Sequence, residues 1–172
     1  HNPAQYNGLK IVLDGQTLSG EAIQAIRRRV DSRDYIEGTG SMQSTDIVAE
    51  YIRRISEEIP VSLGDALKVV VDCGNGVPGM VAPAILRAIG HDVVELFCDV
   101  DGDFPNHHPD PSLPENLQQL IAAVQEEGAD LGLAFDGDGD RLGVVDAEGN
   151  IIWPDRQMIL FARDVLAHNP GA

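Results

Sequence analysis

The stretch LKVVVDCGNG (Leu67–Gly76) runs from unbroken β-branched residues straight into a glycine-containing turn. A strand that is apolar on both faces has to be covered on both, which is the condition of an inner strand in a parallel sheet. The chain downstream keeps to that plan. A helical stretch, MVAPAILRAIG, stops at Gly90, and DVVELFCDV follows as a second strand. The proline-rich loop DGDFPNHHPDPSLPEN leads to the helix ENLQQLIAAVQEEG and then to a third strand, ADLGLAFD. RLGVVDAEGNIIWP reads as a hairpin with its turn at Glu148–Gly149–Asn150. Strand, helix, strand, helix, strand, hairpin is the order of an α/β fold with a mixed, largely parallel sheet flanked by helices.

Upstream, KIVL (Lys10–Leu13) reads as a short strand before a turn at Asp14–Gly15. Ser19 is placed to cap the helix GEAIQAIRRRV. Residues 33–44 are polar and aperiodic, a loop. Ile47, Val48, Tyr51, Ile52 and Ile55 then form one helical stripe that starts near Asp46 and ends at Pro60. A domain boundary is expected near the start of this helix. DRQMILFARDVLA reads as a last helix that opens another domain.

The chain has 12 basic and 28 acidic residues, a formal charge of −16. Such a field repels phosphate backbones, so neither nucleic acid nor an anionic membrane is the expected partner. No apolar run approaches the ~20 residues needed to cross a bilayer. Cys73 and Cys98 fit neither a disulfide framework nor a zinc pattern and read as buried free thiols of a reducing cytosol. No signal-peptide pattern opens the chain, and its ends look like those of an excerpt from a longer polypeptide.

Two glycine-rich motifs compete for a ligand. GNGVPG (Gly74, Gly76, Gly79) has the spacing of a dinucleotide fingerprint, with Glu95 about where a ribose-binding acid belongs. Pro78 removes an amide donor from any phosphate cradle there, and Glu95 falls in mid-strand, so a tight strand-to-helix turn is the better reading. FDGDGDR is different. Glycines at 137 and 139 let the backbone curl so that Asp136, Asp138 and Asp140 converge, and three hard oxygen ligands suit Mg²⁺. Arg141 cannot ligate a cation, but its guanidinium forks onto phosphate oxygens. A calcium EF-hand fails because Arg141 stands at the sixth loop position and Ala147 at the twelfth. His107–His108 reads as loop packing, Trp153 as core, and His168 has no supporting pattern.

Taken in order, HNPAQYNGLKI, VVVDCGNGVPG, FPNHHPDP, ADLGLAFDGDGDRLGVVD and PDRQMILFARD resemble the α-D-phosphohexomutases, in particular their bacterial phosphomannomutase/phosphoglucomutase branch. The resemblance implies a four-domain cytoplasmic enzyme that moves phosphate between the 1- and 6-positions of mannose or glucose phosphates. A phosphoserine donates the phosphoryl group, with a 1,6-bisphosphate sugar such as glucose 1,6-bisphosphate as intermediate and activator. It further implies Mg²⁺ on Asp136, Asp138 and Asp140, phosphate contact by Arg141, an active-site lysine at Lys10 and proton transfer at His1. Residues 1–44 would then be the tail of domain 1, 45–150 domain 2 and 151–172 the start of domain 3. Its partners would be the phosphosugar and the remaining domains of the same polypeptide. The family's nucleophilic serine directly precedes HNP, so these 172 residues alone are expected to be inactive. Conversion of mannose 1-phosphate to the 6-phosphate by this purified stretch at an appreciable rate would contradict that expectation.

Overall fold

The computed structural model describes residues 5–58, 66–169 and 171. The chain divides into two compact units, Asn2–Thr45 and Asp46–Ala172. In the first, β1 (Val12–Leu13) and β2 (Gln16–Thr17) pair antiparallel. Asp14 (φ 50°) and Gly15 (φ 74°) make the turn between them, both with the positive φ that a two-residue hairpin of this hand needs. Helix α1 (Glu21–Ser32) follows. Ser19 is not its cap. Gly20 takes that position with φ 51°, and the Ala22 N–H goes to the Ser19 carbonyl at 3.1 Å.

The second unit opens with α2 (Val48–Glu58), whose start is capped by Asp46 Oδ1 accepting the Val48 N–H at 3.0 Å. Val48, Ile52 and Ile55 are half-buried, while Ile47 and Tyr51 stay exposed. The expected stop at Pro60 lies outside the described residues.

The sheet is built from β3 (Lys68–Asp72), β4 (Asp92–Leu96), β5 (Leu131–Phe135), β6 (Leu142–Asp146) and β7 (Ile151–Ile152), in the spatial order β4-β3-β5-β6-β7. β3 runs parallel to both neighbours, whereas β5–β6 and β6–β7 are antiparallel. The sheet is therefore mixed, with the expected hairpin supplying the antiparallel half. Helix α3 (Ala82–Ala88) leads from β3 to β4, and α4 (Gln118–Glu127) from β4 to β5. Each is preceded by a short 3₁₀ turn, Val77–Met80 and Pro114–Leu117. Pro83 and Pro114 sit at first-turn positions, where a missing N–H costs nothing.

The continuous apolar character of β3 has its reason in two cores. Val69, Val71 and Cys73 face the side where Ala82 and Leu86 of α3 pack. Val70 faces the other side, with Leu120 and Val124 of α4 and Ala134 and Val145 of the sheet. Gly132 lets α4 lie close over β5, since a Cβ there would come within 2.7 Å of Val124 Cγ2. Both cysteines are free, Cys73 buried and Cys98 partly so.

The last helix, α5 (Pro154–His168), follows Trp153. Trp153 is not in the core, where a lone aromatic was expected, but is 41% exposed beside Met158 and Phe161. It caps the start of α5 in extended conformation, on the rim of the unit.

Leu120 is fully buried under the sheet. Leu120→Ala is expected to lower the free energy of unfolding by about 2–5 kcal/mol, read as a shift of the urea midpoint at unchanged m.

Candidate metal centre

In the ladders of β3, Asp72 pairs with Leu96 of β4 and with Ala134 of β5. The segments that follow these parallel strands therefore leave the same carboxyl edge of the sheet, where α/β folds bind their ligands. Three loops meet there: the glycine turn after Asp72, the proline-rich loop after Leu96, and Asp136–Arg141 after Phe135.

The aspartate loop joins β5 to β6, whose first pair is Phe135 with Leu142. Its ends are closed by the Asp136 N–H to the Arg141 carbonyl at 3.3 Å, and the Gly139 N–H reaches the Asp136 carbonyl at 3.2 Å. Asp136 is fully buried, whereas Asp138 and Asp140 are exposed. One carboxylate oxygen from each of the three lies within 4.8 Å of the others. Burial alone would push the Asp136 carboxyl up. The Arg141 backbone N–H (3.1 Å) and guanidinium Nε (2.7 Å) outweigh it and hold the group below the usual carboxylate range. Asp140 goes the other way, pushed up first by the charge of Asp138 and then by that of Asp136. Three oxygen donors, one fixed and ionised and two on the open side, crowded enough to repel one another, fit a hard divalent cation.

Arg141 belongs to the same assembly. Besides Asp136, its Nη1 donates to Asp110 Oδ1 at 3.1 Å, and Asp140 lies 3.8 Å from Nε. The arginine thus ties the proline-rich loop to the aspartate loop, with its side chain 45% exposed.

The GNGVPG turn has no amide to offer a phosphate. Gly74 donates to Asp72 Oδ1 (2.8 Å), Asn75 to the Phe97 carbonyl (2.8 Å), and Gly76 to that of Cys73 (2.7 Å). Val77 donates to the Gly137 carbonyl (3.0 Å) and Gly79 to that of Gly76 (3.2 Å). Glu95 sits in β4, paired with Arg87 at 2.6 Å. The motif is a strand-to-helix turn, as Pro78 indicated. Gly79 is required because a Cβ would fall 1.9 Å from the Cys98 carbonyl oxygen.

Sequence reasoning missed what holds this turn. Asp72, with a side chain fully out of solvent, accepts from Gly74 and stands 3.1 Å from His107 Nε2 through both oxygens. Asn75 (φ 60°) gives Nδ2 to the Asp99 carbonyl at 2.8 Å and receives Asn106 Nδ2 on Oδ1 at 2.7 Å. The loop packing expected of His107 is thus a hydrogen-bonding contact with a buried carboxylate at the sheet edge. An acid ending a buried strand was the one signal that asked for such a partner. His168 is hydrogen-bonded to the Asp164 carbonyl, on its own helix. Lys10 is exposed in the first unit, ahead of β1, and His1 lies outside the described residues.

The Asp72 hydrogen bond raises the His107 pKa above its ordinary value, against a smaller opposing effect of burial. A raised folded-state value stabilises fully below the unfolded pKa of about 6.5 and is lost as pH climbs through the folded one. Wild type is therefore expected to lose stability over His107→Gln as pH rises above about 6.5, read as the difference between their urea-unfolding profiles. Parallel profiles would show that the pair carries no charge.

Residues 49–149 match the family "Phosphoglucomutase/phosphomannomutase, alpha/beta/alpha domain II". The whole chain is 56% identical to a phosphomannomutase/phosphoglucomutase of Pseudomonas aeruginosa and 53% identical to a phosphoglucomutase of Neisseria meningitidis. It spans 37% of the length of each. A crystal structure of a phosphoglucomutase/phosphomannomutase family protein from Burkholderia thailandensis superposes with a TM-score of 0.86 at 50% identity, over all of this chain and 37% of that one. With the matching domain, the aspartate loop at its sheet edge and relatives along its full length, the chain belongs to the phosphoglucomutase/phosphomannomutase family.

Proposed function

We propose that this chain supplies the metal-binding loop of a cytoplasmic phosphohexomutase that interconverts 1-phospho and 6-phospho mannose or glucose. In this reading a phosphoserine and a 1,6-bisphosphate sugar carry the phosphoryl group. The observation that carries it is the convergence of Asp136, Asp138 and Asp140 within 4.8 Å at the carboxyl edge of the sheet. Residues 1–44 then close the first domain, 45–150 form the second and 151–172 begin the third. The phosphosugar and the other domains of the polypeptide are its partners.

The three aspartates would hold Mg²⁺, which when bound supplies positive charge for the phosphoryl oxygens during transfer. Asp136 gives an oxygen whose ionised form Arg141 favours in a buried position. Asp138 and Asp140 complete the set from the solvent side. Arg141, with its plane fixed by Asp136 and Asp110, presents a guanidinium edge suited to a phosphate oxygen. Lys10 adds a second cation, and His1, beside the nucleophile in this family, moves the hydroxyl proton. These cations matter in a chain of net charge −16, which would otherwise repel its anionic substrate.

A nucleotide-binding oxidoreductase domain is the weaker reading, since the amides of GNGVPG are already engaged. Asp138→Ala is expected to abolish Mg²⁺ binding in calorimetric titration. It should lower mannose 1-phosphate conversion by the intact protein at least about 100-fold, as loss of several kcal/mol of charge stabilisation requires. NAD binding untouched by that change would favour the glycine turn instead. Metal binding in an intact protein that converts no phosphosugar would leave a metal-binding module.

A further inference from the structure

The ends of the aspartate loop are fixed by its own bonds, Asp136 to Arg141 and Gly139 to Asp136. Gly137 and Gly139, on either side of Asp138, are also approached from outside. The Val77 N–H, at the head of the 3₁₀ turn, donates to the Gly137 carbonyl at 3.0 Å. Gly76 lies so close that a Cβ on it would stand 2.8 Å from Gly137 Cα and 2.9 Å from Gly137 O. Two residues further along the loop, a Cβ on Gly139 (φ 77°) would stand 2.9 Å from Pro78 Cγ. Asp138 thus lies between two glycines that both approach the same turn closely.

That turn is itself firmly mounted. Asp72 and His107 grip it at Gly74, and Asn75 pins it to Asp99 and Asn106. Gly76 has φ −81° and ψ 172°, a conformation open to any residue. Glycine is needed there for the close approach to another backbone, not for its dihedrals. A methyl group could be accommodated only by moving backbone, because two of its nearest neighbours belong to the Gly137 main chain.

From this geometry we infer that the GNGVPG turn is the template of the aspartate loop, with Gly76, Val77 and Pro78 as positioning residues that set where Asp138 stands relative to Asp136 and Asp140. The inference rests on the metal reading of those aspartates. Residues behind a metal ligand commonly change affinity when altered, by about 10–100-fold. At Gly76 the approach is backbone against backbone, so a side chain placed there displaces the ligand loop without removing any donor.

The test is Mn²⁺ binding to the intact protein, followed by the loss of the free-ion electron paramagnetic resonance signal. Gly76→Ala should weaken binding by about 10-fold or more, with a native circular dichroism spectrum. Val124→Ala, a cavity in the α4 core, should lower stability while leaving Mn²⁺ affinity unchanged. Affinity retained by a folded Gly76→Ala, or lost equally in Val124→Ala, would overturn the inference. Should Gly76→Ala not fold, Pro78→Ala decides: weaker Mn²⁺ binding supports the template, and wild-type binding overturns it. Asp138→Ala keeps the two levels apart. If it binds Mn²⁺ as wild type does, the metal reading fails and this inference with it. If it loses Mn²⁺ while Gly76→Ala keeps it, only the template falls.

Discussion

The parallel register of β3 with β5, which sets Asp72 opposite Ala134, is the constraint on which the rest of the site depends. Because β3 also runs parallel to β4, three successive loops are delivered to one edge rather than shared between two. The buried β-branched run of β3 secures that register. Its residues are packed from both faces, so a one-residue slip would exchange the two cores. Once the strands are fixed, the contact between Gly76 and Gly137 follows from the short distance between adjacent strand ends.

Charge makes the same edge demanding. Asp72 and Asp136 are both buried at or just beyond the end of a strand, and each is answered by a partner, one from a distant loop and one five residues on. His107 serves Asp72, and Arg141 serves Asp136. Each partner also joins two loops. His107 brings the proline-rich loop to the glycine turn, and Arg141, through Asp110, brings it to the aspartate loop. The exposed carboxylates are left in mutual repulsion, visible in the raised Asp140, which is the electrostatic condition that a bound cation relieves.

Local patterns in the sequence carried much of the architecture. The KVVVD run signalled a strand covered on both faces, Glu148–Gly149–Asn150 marked the hairpin turn, and Pro78 marked GNGVPG as a turn without a full set of amides. The ordered motifs also carried the family resemblance that the comparisons bear out. What was not legible depends on tertiary distance. Nothing local links Asp72 to His107 or Gly76 to Gly137, because those pairings exist only once the strand order is known. Ser19 failed as a cap because Gly20, free to take a positive φ, let the helix begin one residue later. Trp153 was misplaced because a lone aromatic reads as core, whereas its position at the start of α5 leaves it 41% exposed.

The central claim is that Asp136, Asp138 and Asp140 form one cation site shaped by the sheet edge. Anomalous diffraction from a crystal of the intact protein grown with Mn²⁺ addresses it directly. A single peak about 2.1 Å from one oxygen of each aspartate is the expected result, the distance of a hard divalent ion from carboxylate ligands. A peak on other carboxylates, or none at this loop when the ion is in excess, would contradict it.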